Sequence, residues 1–456
     1  MTSHTRQLFG TDGIRGVAGE FPLTLESTFL IGRALGEDLQ RAIAGARVVI
    51  GQDTRESSAW IADQVTLGLL AAGCQVESAG VITTPGVAYL ARSRGYAAGV
   101  IISASHNPWT DNGIKVFSGD GYKLPDAREL AIEHEIFSLL QSSDPPEPPA
   151  LKPTPSLPGN AGLRRAYIAW LAQGVKLDGL RVLVDCAHGA ATAEAPELFR
   201  ACGVAASFLN AAPDGKNINE GCGALHPETV AKTIAEKKGQ FDLGVTFDGD
   251  ADRALFSDAN GKVVNGDAVL LLAARDMQTR GILPEPVVVG TTMSNMGLEI
   301  ALRSTGIRML RANVGDKYVL EEMLKQGAIL GGEQSGHIIF RDGEATTGDG
   351  LLTALRVMEI MRRTARPLAN LVADLKVFPQ TIQNVRVREK VPFNQVPEIQ
   401  NAIDAAEKEL DGNGRVVVRY SGTEALARVM VEAESEPRMR RIAETIAGSI
   451  KNALGA

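Results

Sequence analysis

Residues 47–53 read Arg47-Val48-Val49-Ile50-Gly51-Gln52-Asp53, a β-branched run that leads into small and polar residues. Runs of the same kind begin at Arg181 and at Pro286. Each is followed by a stretch with apolar residues at helical spacing, such as 59–72, which predicts a strand, a turn and a helix. Because this plan occurs three times, we expect a fold that contains three related mixed α/β domains.

A second apolar run follows each first run, after a gap long enough for a crossover helix and another strand. These second runs span 97–102, 241–247 and 328–330. They lead into three polar loops, 103–108, 248–253 and 332–337, which read SASHNP, DGDADR and GEQSGH. Open α/β sheets bind ligands beyond the carboxyl ends of their strands, so the three loops are expected to line one central cleft.

The composition is that of a folded protein with several domains: 456 residues, 44% hydrophobic and 22% charged. A net charge of −7 argues against nucleic-acid binding and is compatible with a small anionic ligand held by local basic groups. No apolar run reaches the roughly 18 residues of a membrane span, and no signal peptide is expected. The cysteines form no Cys-x-x-Cys pair, which predicts small buried thiols in a reducing cytoplasm.

The predicted domains are 1–155, 156–256, 257–370 and 371–456. The first boundary falls in the proline-rich stretch 144–158, which cannot form a helix. The last domain is expected to be a smaller α+β domain, with strands at 415–420 and 427–433 on either side of a loop.

The loop 248–253 places carboxylates at Asp248, Asp250 and Asp252, which repel one another unless a hard cation or donors neutralise them. In an extended chain the three would lie on one side and converge on one ion. An EF-hand is disfavoured because Arg253 and Ala259 replace the glycine and glutamate that it requires. A solvated Asp/Gly turn is the plain alternative, and we favour Mg²⁺ over Ca²⁺.

Ser105 is the candidate carrier of a phosphoryl group, although a loop serine is more often a turn former. Its neighbours His106 and Asn107, with Lys115 downstream, suit a site where a phosphoserine would meet a metal and basic groups. A Ser-His-Asp hydrolase is the competing interpretation, but there is no G-x-S-x-G elbow and adjacent side chains are expected to diverge. Ser103 is the main alternative for the phosphorylated residue.

Other loops contribute candidate contacts to phosphate or sugar. Residues 419–424 follow a predicted strand and combine Arg419 with small hydroxyl residues and glycine, which favours either a phosphate loop or an ordinary hairpin turn. Glu333 and Ser335 could bind vicinal sugar hydroxyls, while His337 is as readily a structural hydrogen-bonder. Further candidates for anion contacts are Arg15, in the glycine-rich opening 9–16, and Lys317 with Asp316, although helix capping explains the last pair nearly as well.

Five motifs together resemble the α-D-phosphohexomutase superfamily, and within it most closely the bacterial phosphoglucosamine mutases. They occur in the family's order at 9–16, 103–115, 247–253, 332–337 and 419–424. Tyr420 and Ala425 depart from the family pattern, since proline is common at both positions. We expect a less rigid phosphate loop there, with no phosphate-contacting side chain lost.

The resemblance implies four domains around a central cleft, with the C-terminal domain closing over the substrate. It implies a phosphoserine at Ser105 and one Mg²⁺ per chain, held by that residue with Asp248, Asp250 and Asp252. The candidate catalytic residues are Ser105, His106, Lys115 and Arg15. The candidate substrate contacts are Arg253, Lys317, Glu333, Ser335, His337, Arg419, Ser421, Gly422, Thr423 and Arg428.

The implied activity interconverts glucosamine 6-phosphate and glucosamine 1-phosphate, with glucosamine 1,6-bisphosphate as intermediate and activator. The product would feed synthesis of UDP-N-acetylglucosamine and cell-wall precursors, and the resemblance is compatible with a cytoplasmic homodimer that binds neither nucleic acid nor membrane. Three alternatives stay open: a phosphomannomutase/phosphoglucomutase, a Mg²⁺ phosphatase with an aspartyl nucleophile in the Asp248 loop, and a non-enzymatic Ca²⁺- or sugar-binding module.

Overall fold

The computed structural model describes residues 7–142, 157–421 and 425–456. It divides into two compact units, residues 1–293 with 310–372 and residues 294–309 with 373–456. Most of the proline-rich connection predicted at 144–158 lies outside the described residues, and the three boundaries between the four domains stay predictions. Among the described helices, none has both the length and the apolar character needed to cross a bilayer.

The first part of the chain builds a sheet with the strand order β1-β2-β6-β5-β3-β4. Its strands are β1 (Phe9–Gly10), β2 (Gly13–Val17), β3 (Arg47–Gln52), β4 (Gln75–Val81), β5 (Ala98–Ile102) and β6 (Asp111–Ser118). Its helices are α1 (Leu25–Ala42), α2 (Glu56–Ala71), α3 (Thr84–Ser93) and α4 (Asp126–Leu140). Strand β3 runs parallel to β4 and β5, and β6 is antiparallel to β5.

The next segment forms a sheet in the order β11-β10-β9-β7-β8. Its elements are α5 (Ala161–Leu171), β7 (Arg181–Asp185), α6 (Ala195–Ala201), β8 (Ala205–Leu209), α7 (Glu228–Glu236), β9 (Leu243–Phe247), β10 (Ala254–Asp258) and β11 (Val263–Val264), with 3₁₀ turns at Ala190–Ala193 and Gly223–Leu225. Strand β7 is parallel to β8 and β9, while β10 is antiparallel to β9.

A third sheet has the order β13-β12-β14-β15. The elements of this segment are α8 (Gly266–Thr279), β12 (Val287–Thr291), α9 (Met296–Ser304), β13 (Arg308–Ala312), α10 (Asp316–Gln326), β14 (Leu330–Gly332), β15 (Ile338–Phe340), α11 (Gly350–Thr364) and α12 (Leu368–Leu371). Strand β12 is parallel to β14, and β15 is antiparallel to β14.

The three sheets share a four-strand order, β4-β3-β5-β6, β8-β7-β9-β10 and β13-β12-β14-β15. The prediction of three related α/β domains is therefore confirmed. The last two strands of each shared order are antiparallel neighbours: β5 and β6, β9 and β10, and β14 and β15. The loop between the two strands is in each case one of the three polar loops singled out in the sequence. Strands β5 and β9 are buried along their whole length, as expected for central strands covered on both faces.

The second unit contains a three-stranded antiparallel sheet in the order β16-β18-β17. Its elements are β16 (Gln380–Arg386), α13 (Pro397–Leu410), β17 (Gly414–Tyr420), β18 (Leu426–Ala433) and α14 (Glu436–Leu454), with a 3₁₀ turn at Phe393–Gln395. Ile399 and Ile446 of the two helices join Val429 and Val431 of β18 in one apolar core. The smaller α+β domain and its two predicted strands are confirmed.

Two buried carboxylic acids lie next to residues that hydrogen-bond to the loop 248–253, since Glu194 contacts the neighbour of Thr84 and Asp349 precedes Gly350. Glu194 accepts a hydrogen bond from the backbone N–H of Thr83 at 3.3 Å, and Asp349 accepts one from the Tyr167 hydroxyl at 2.8 Å. Burial raises the pKa of Glu194 to about 8 and that of Asp349 to about 6. Both acids therefore keep their protons to a higher pH in the folded protein than in the unfolded chain.

Glu194→Gln is expected to stabilise the protein most at neutral and alkaline pH. Below the ordinary pKa of 4.5 the Glu194 side chain is protonated in both states, and the free energy of unfolding is not reduced. As pH rises towards 8, ionisation of Glu194 favours the unfolded chain, and the free energy of unfolding falls. Removing the group should gain up to about 3 kcal/mol at pH 7 and little at pH 5. Thermal unfolding at both pH values, with exposed Glu220→Gln as control, measures this; a gain independent of pH would contradict it.

Candidate active site

The carboxylates of Asp248, Asp250 and Asp252 converge, with one potential ligand atom from each lying within 4.8 Å of the others. All three residues are buried. The prediction that they converge is confirmed, but the expected extended chain is wrong. The loop instead forms a turn, in which Ala251 N–H donates to the Asp248 carbonyl at 3.1 Å and Ala251 adopts a φ of 54°.

Each of three successive carbonyls in this turn is held by a different part of the first unit. Ala190 N–H donates to Gly249 O at 2.8 Å, Thr84 N–H to Asp250 O at 3.0 Å, and Gly350 N–H to Ala251 O at 2.9 Å. These donors come from all three sheet segments. The turn is therefore fixed by long-range hydrogen bonds that local sequence does not reveal.

The electrostatics of the three carboxylates favour a cation. Burial raises the pKa of Asp248 well above its usual value, and the charges of Asp252 and Asp250 add to this. Within the described residues, no donor hydrogen-bonds to the buried oxygens Asp250 Oδ1 and Asp252 Oδ1. Buried unsatisfied carboxylate oxygens are costly, and hard divalent cations prefer oxygen ligands, so the residues present fit a metal ion.

Ser105 lies directly against this loop. Its Oγ donates to Asp248 Oδ2 at 2.6 Å, and its side chain is almost wholly buried. Ser105 has a φ of 53°, in the left-handed region that few non-glycine residues adopt. Its Oγ also lies 3.3 Å from His106 Nδ1, so the expectation that the adjacent side chains diverge is wrong. The left-handed backbone at Ser105 accompanies this contact.

The Ser103 hydroxyl faces a different group. It donates to Asp53 Oδ2 at 2.6 Å and accepts the backbone N–H of Ser105 at 3.0 Å. Arg55 forms a buried ion pair with the same Asp53 carboxylate. The Ser103 hydroxyl thus connects the loop to Asp53, whereas the Ser105 hydroxyl contacts the carboxylate cluster.

Two side chains clamp the backbone of the Ser105 loop. Arg55 donates to the carbonyls of Ser105 and Asn107 at 3.1 and 2.7 Å. Asn219 donates to the same two carbonyls at 2.9 and 3.1 Å. At Gly249 an added Cβ would lie 2.5 Å from the Ser105 carbonyl oxygen, which explains why glycine is required at this close approach.

Lys115 is buried beside the carboxylates. Its Nζ lies 3.0 Å from Asp12, 2.9 Å from Asp250 and 3.4 Å from Asp252. Burial alone would lower the pKa of Lys115, but the three carboxylates outweigh it and hold that pKa well above 10.5. Lys115 is therefore a fixed positive charge in this arrangement.

Asp12 extends this network away from the carboxylate cluster. It forms ion pairs with Arg15 and Lys123, and Lys123 also pairs with Asp316 at the start of α10. Burial opposes ionisation of Asp12, but Lys115, Lys123 and Arg15 hold its pKa well below 3.8. Charged groups of the first and third sheet segments are thus joined in one chain of ion pairs.

His106 is half-buried and carries no charge at neutral pH. Burial lowers its pKa to about 4, and the positive charges of Arg253 and Arg15 add to the effect. Each ring nitrogen of a neutral imidazole can either accept or donate one hydrogen bond, according to the tautomer.

A cavity of about 400 Å³ opens beside these groups. The cavity is lined by sequence-predicted residues from all three loops and from the first and third sheet segments: Arg15, His106, Asp252, Arg253, Asp316, Glu333 and His337. Glu333 Oε1 accepts the backbone N–H of Gly315 at 2.9 Å, and its other oxygen lies 3.4 Å from Ser335 Oγ. Neither ring nitrogen of buried His337 hydrogen-bonds to any described residue. The third loop therefore brings polar side chains to the same cavity as the first two.

Lys317 lies in an adjoining cavity of about 320 Å³, which also borders Lys123 and Asp316. It forms an ion pair with Asp126 and lies 3.6 Å from Glu129 Oε2. Lys317 thus lines this second cavity and not the first, whereas its neighbour Asp316 borders both.

The candidate phosphate loop belongs to the second unit. Arg419 and Arg428 are direct partners across β17 and β18. Like charges directly opposite one another repel, so this arrangement favours an anion nearby. Ser421 N–H donates to Leu426 O at 2.8 Å, and Gly422 and Thr423 lie outside the described residues. Tyr420 stacks on Phe393 at 4.3 Å and donates to Val391 O, which anchors the start of a loop expected to be less rigid.

Comparisons with known proteins agree with this architecture. Four family models match in sequence: phosphoglucomutase/phosphomannomutase alpha/beta/alpha domain I at 6–142, domain II at 165–261, domain III at 265–378 and the C-terminal domain at 383–449. A phosphoglucosamine mutase of Koribacter versatilis is 60% identical over 100% of this chain and 99% of its own length. The chain belongs to the phosphoglucosamine mutases of the α-D-phosphohexomutase superfamily.

Other relatives support the same membership. A phosphoglucosamine mutase of Solibacter usitatus is 50% identical over 99% of both chains. The crystal structure of a phosphoglucomutase/phosphomannomutase family protein from Burkholderia thailandensis matches with a TM-score of 0.78 and 25% identity, over 98% of this chain and 99% of that one. This phosphohexomutase is therefore an isomerase that acts on a small sugar phosphate.

Several residues of the site escaped sequence reasoning. Asp53 and Arg55 form an ion pair in the interior, Asp12 and Lys123 form a part-buried one, and Asn219 clamps the Ser105 loop. Asp12 and Lys123 stand in glycine-rich stretches, which were a usable signal. No local pattern marks Asn219, because its partners are 112 and 114 residues away in sequence.

Proposed function

We propose that this mutase interconverts glucosamine 6-phosphate and glucosamine 1-phosphate through a phosphoserine at Ser105. The observation that carries the proposal is the position of Ser105 Oγ, 2.6 Å from Asp248 in a buried cluster of three carboxylates. Three buried carboxylates beside a serine hydroxyl repel one another unless a cation neutralises them, and such a cation can also bind an anionic group on the serine.

In the first half-reaction, the bond between Ser105 Oγ and phosphorus breaks as a bond forms to O1 of glucosamine 6-phosphate. The O1 proton is lost, Ser105 regains a hydroxyl proton, and the product is glucosamine 1,6-bisphosphate. After the bisphosphate turns over, Ser105 accepts the 6-phosphoryl group and glucosamine 1-phosphate leaves. The bisphosphate is thus both intermediate and activator of any unphosphorylated protein.

Asp248, Asp250 and Asp252 would hold one Mg²⁺ together with an oxygen of the phosphoserine. When bound, the ion offsets negative charge on the transferring phosphoryl group. Lys115 supplies a fixed positive charge beside the same carboxylates, and neutral His106 places Nδ1 3.3 Å from Ser105 Oγ, where it can hold or receive a proton. We therefore propose that His106 takes up or gives the proton, that Lys115 assists this transfer through its charge while keeping its own proton, and that Arg15 contacts phosphate.

The sugar contacts follow from the cavity lining. Glu333 and Ser335 would bind vicinal hydroxyls, with Arg253 and His337 beside them and Lys317 as a further substrate contact. Arg419, Ser421, Gly422, Thr423 and Arg428 are proposed to bind the phosphate that is not reacting. Two opposed arginines suit that role because guanidinium groups bind phosphate oxygens bidentately.

The choice of glucosamine is supported by the names of relatives at 60% and 50% identity. We expect kcat/KM for glucosamine 6-phosphate to exceed that for glucose and mannose 6-phosphates by at least about tenfold, as polar recognition of one group permits. Coupled assays of all three sugars, under identical Mg²⁺ and bisphosphate, test this. Equal or greater turnover of glucose or mannose 6-phosphate would favour the phosphomannomutase/phosphoglucomutase alternative.

We further propose a cytoplasmic enzyme that supplies precursors of UDP-N-acetylglucosamine and the cell wall. A homodimer is also proposed, for which exposed apolar Val17, Phe21 and Leu25 in the first sheet segment offer surface. Sedimentation equilibrium at micromolar concentration distinguishes monomer from dimer.

A further inference from the structure

Thr84 holds both the backbone and the side chain of Asp250. Its hydroxyl donates to Asp250 Oδ2 at 2.6 Å, and its backbone N–H donates to Asp250 O at 3.0 Å. Thr84 is 1% exposed and is the first residue of α3, directly after the capping residue Thr83. A single helix terminus therefore fixes Asp250 at two points.

The two carboxylate oxygens of Asp250 differ in their surroundings. Oδ2 accepts hydrogen bonds from Thr84 and from Lys115 Nζ, the latter at 2.9 Å. Oδ1 is buried and accepts none from the described part of the chain. The protein donors thus occupy one oxygen and leave the other to the space shared with Asp248 and Asp252.

The two donors to Oδ2 are held with different rigidity. Lys115 also contacts Asp12 and Asp252, so its ammonium group is shared among three carboxylates. Thr84 is fixed by its place at the start of α3, and a β-branched side chain in a helix has few rotamers. Thr84 is therefore the donor that determines how the Asp250 carboxylate is rotated.

We propose that Thr84 is a positioning residue of the metal centre, whose hydroxyl fixes the Asp250 carboxylate so that Oδ1 faces the cation. The proposal rests on the metal assignment of the proposed function. Partners that orient metal ligands typically contribute about 10- to 100-fold in metal affinity. A threonine hydroxyl in the first segment would thus set the affinity of a metal loop in the second.

The test compares Mg²⁺ affinity in wild type, Thr84→Val and Thr84→Ser, measured by isothermal calorimetry without substrate on preparations matched for phosphate content by mass. Valine keeps the shape and removes the hydroxyl, so the Kd for Mg²⁺ should rise about 10- to 100-fold. Serine keeps the hydroxyl and should restore most of the affinity. At saturating Mg²⁺, kcat of Thr84→Val should recover towards wild type, because the variant weakens binding rather than chemistry.

Thr28→Val is the matched control, since Thr28 is also buried and donates to a helix carbonyl, Thr24 O, at 2.7 Å. It should leave the Kd unchanged, whatever its effect on stability. If Thr84→Val does not fold, Thr84→Ala removes the hydroxyl without added bulk. Wild-type affinity in a folded variant lacking the hydroxyl overturns the role of Thr84 alone, whereas absence of Mg²⁺ binding by wild type overturns the metal assignment itself.

Discussion

Ser105→Ala is expected to abolish both turnover and phosphorylation of the protein. Without Oγ no covalent phosphoryl group can form at this position, so each half-reaction loses its acceptor or its donor. Loss of a nucleophile lowers kcat by about 10⁴-fold or more. The measurement is conversion of glucosamine 6-phosphate, together with phosphate labelling from the 1,6-bisphosphate.

Ser103→Ala is the informative control, because Ser103 is the alternative acceptor two residues away. Its hydroxyl is bonded to Asp53 and to the backbone of Ser105, so the variant should loosen the loop and still take up phosphate. Substantial turnover by Ser105→Ala, or loss of the label only in Ser103→Ala, would sink the assignment of Ser105.

Asp250→Asn is expected to remove the response to Mg²⁺ and nearly all activity. The substitution keeps the shape of the side chain but removes the negative charge of the carboxylate. In the native protein its Oδ1 is buried and accepts no hydrogen bond from the described residues. A metal ion contributes several kcal/mol to the stabilisation of transition-state charge, so kcat should fall by about 10³-fold or more. Activity and thermal unfolding are measured across a Mg²⁺ titration.

Asp258→Asn controls for loss of a buried carboxylate elsewhere in the same sheet segment. Asp258 accepts backbone N–H groups of Asn260 and Lys262 in a turn, so its replacement should alter stability and leave the Mg²⁺ response intact. An Asp250→Asn enzyme with wild-type activity and an unchanged Mg²⁺-dependent midpoint would refute the metal assignment.

The sequence predicted the repeated α/β plan because strand runs and helical periodicity are local signals. Residues 97–102, 241–247, 415–420 and 427–433 contain strands whose observed bounds differ from the prediction by at most two residues at either end. The run at 328–330 ended early, since the strand is Leu330–Gly332 and glycine has low β-propensity. Convergence of the three loops followed from the shared strand order rather than from any one motif.

The supporting residues could not be predicted in the same way. Thr84 reads locally as an ordinary helix start, and only the fold brings it to Asp250, 166 residues further along the chain. The left-handed backbone at Ser105 and Ala251 was equally hidden, because neither residue favours it. Long-range contacts impose both conformations, so the geometry of the site depends on residues that carry no sequence signature.

The proposed mechanism depends on Ser105 as the carrier of the phosphoryl group. Intact-protein mass before and after phosphatase treatment, following incubation with the 1,6-bisphosphate, tests it most directly when combined with peptide mapping. We expect phosphatase to remove one phosphate, which peptide mapping assigns to Ser105. Phosphate mapped to Ser103 or to an aspartate of the Asp248 loop, or no phosphate at all, would contradict it.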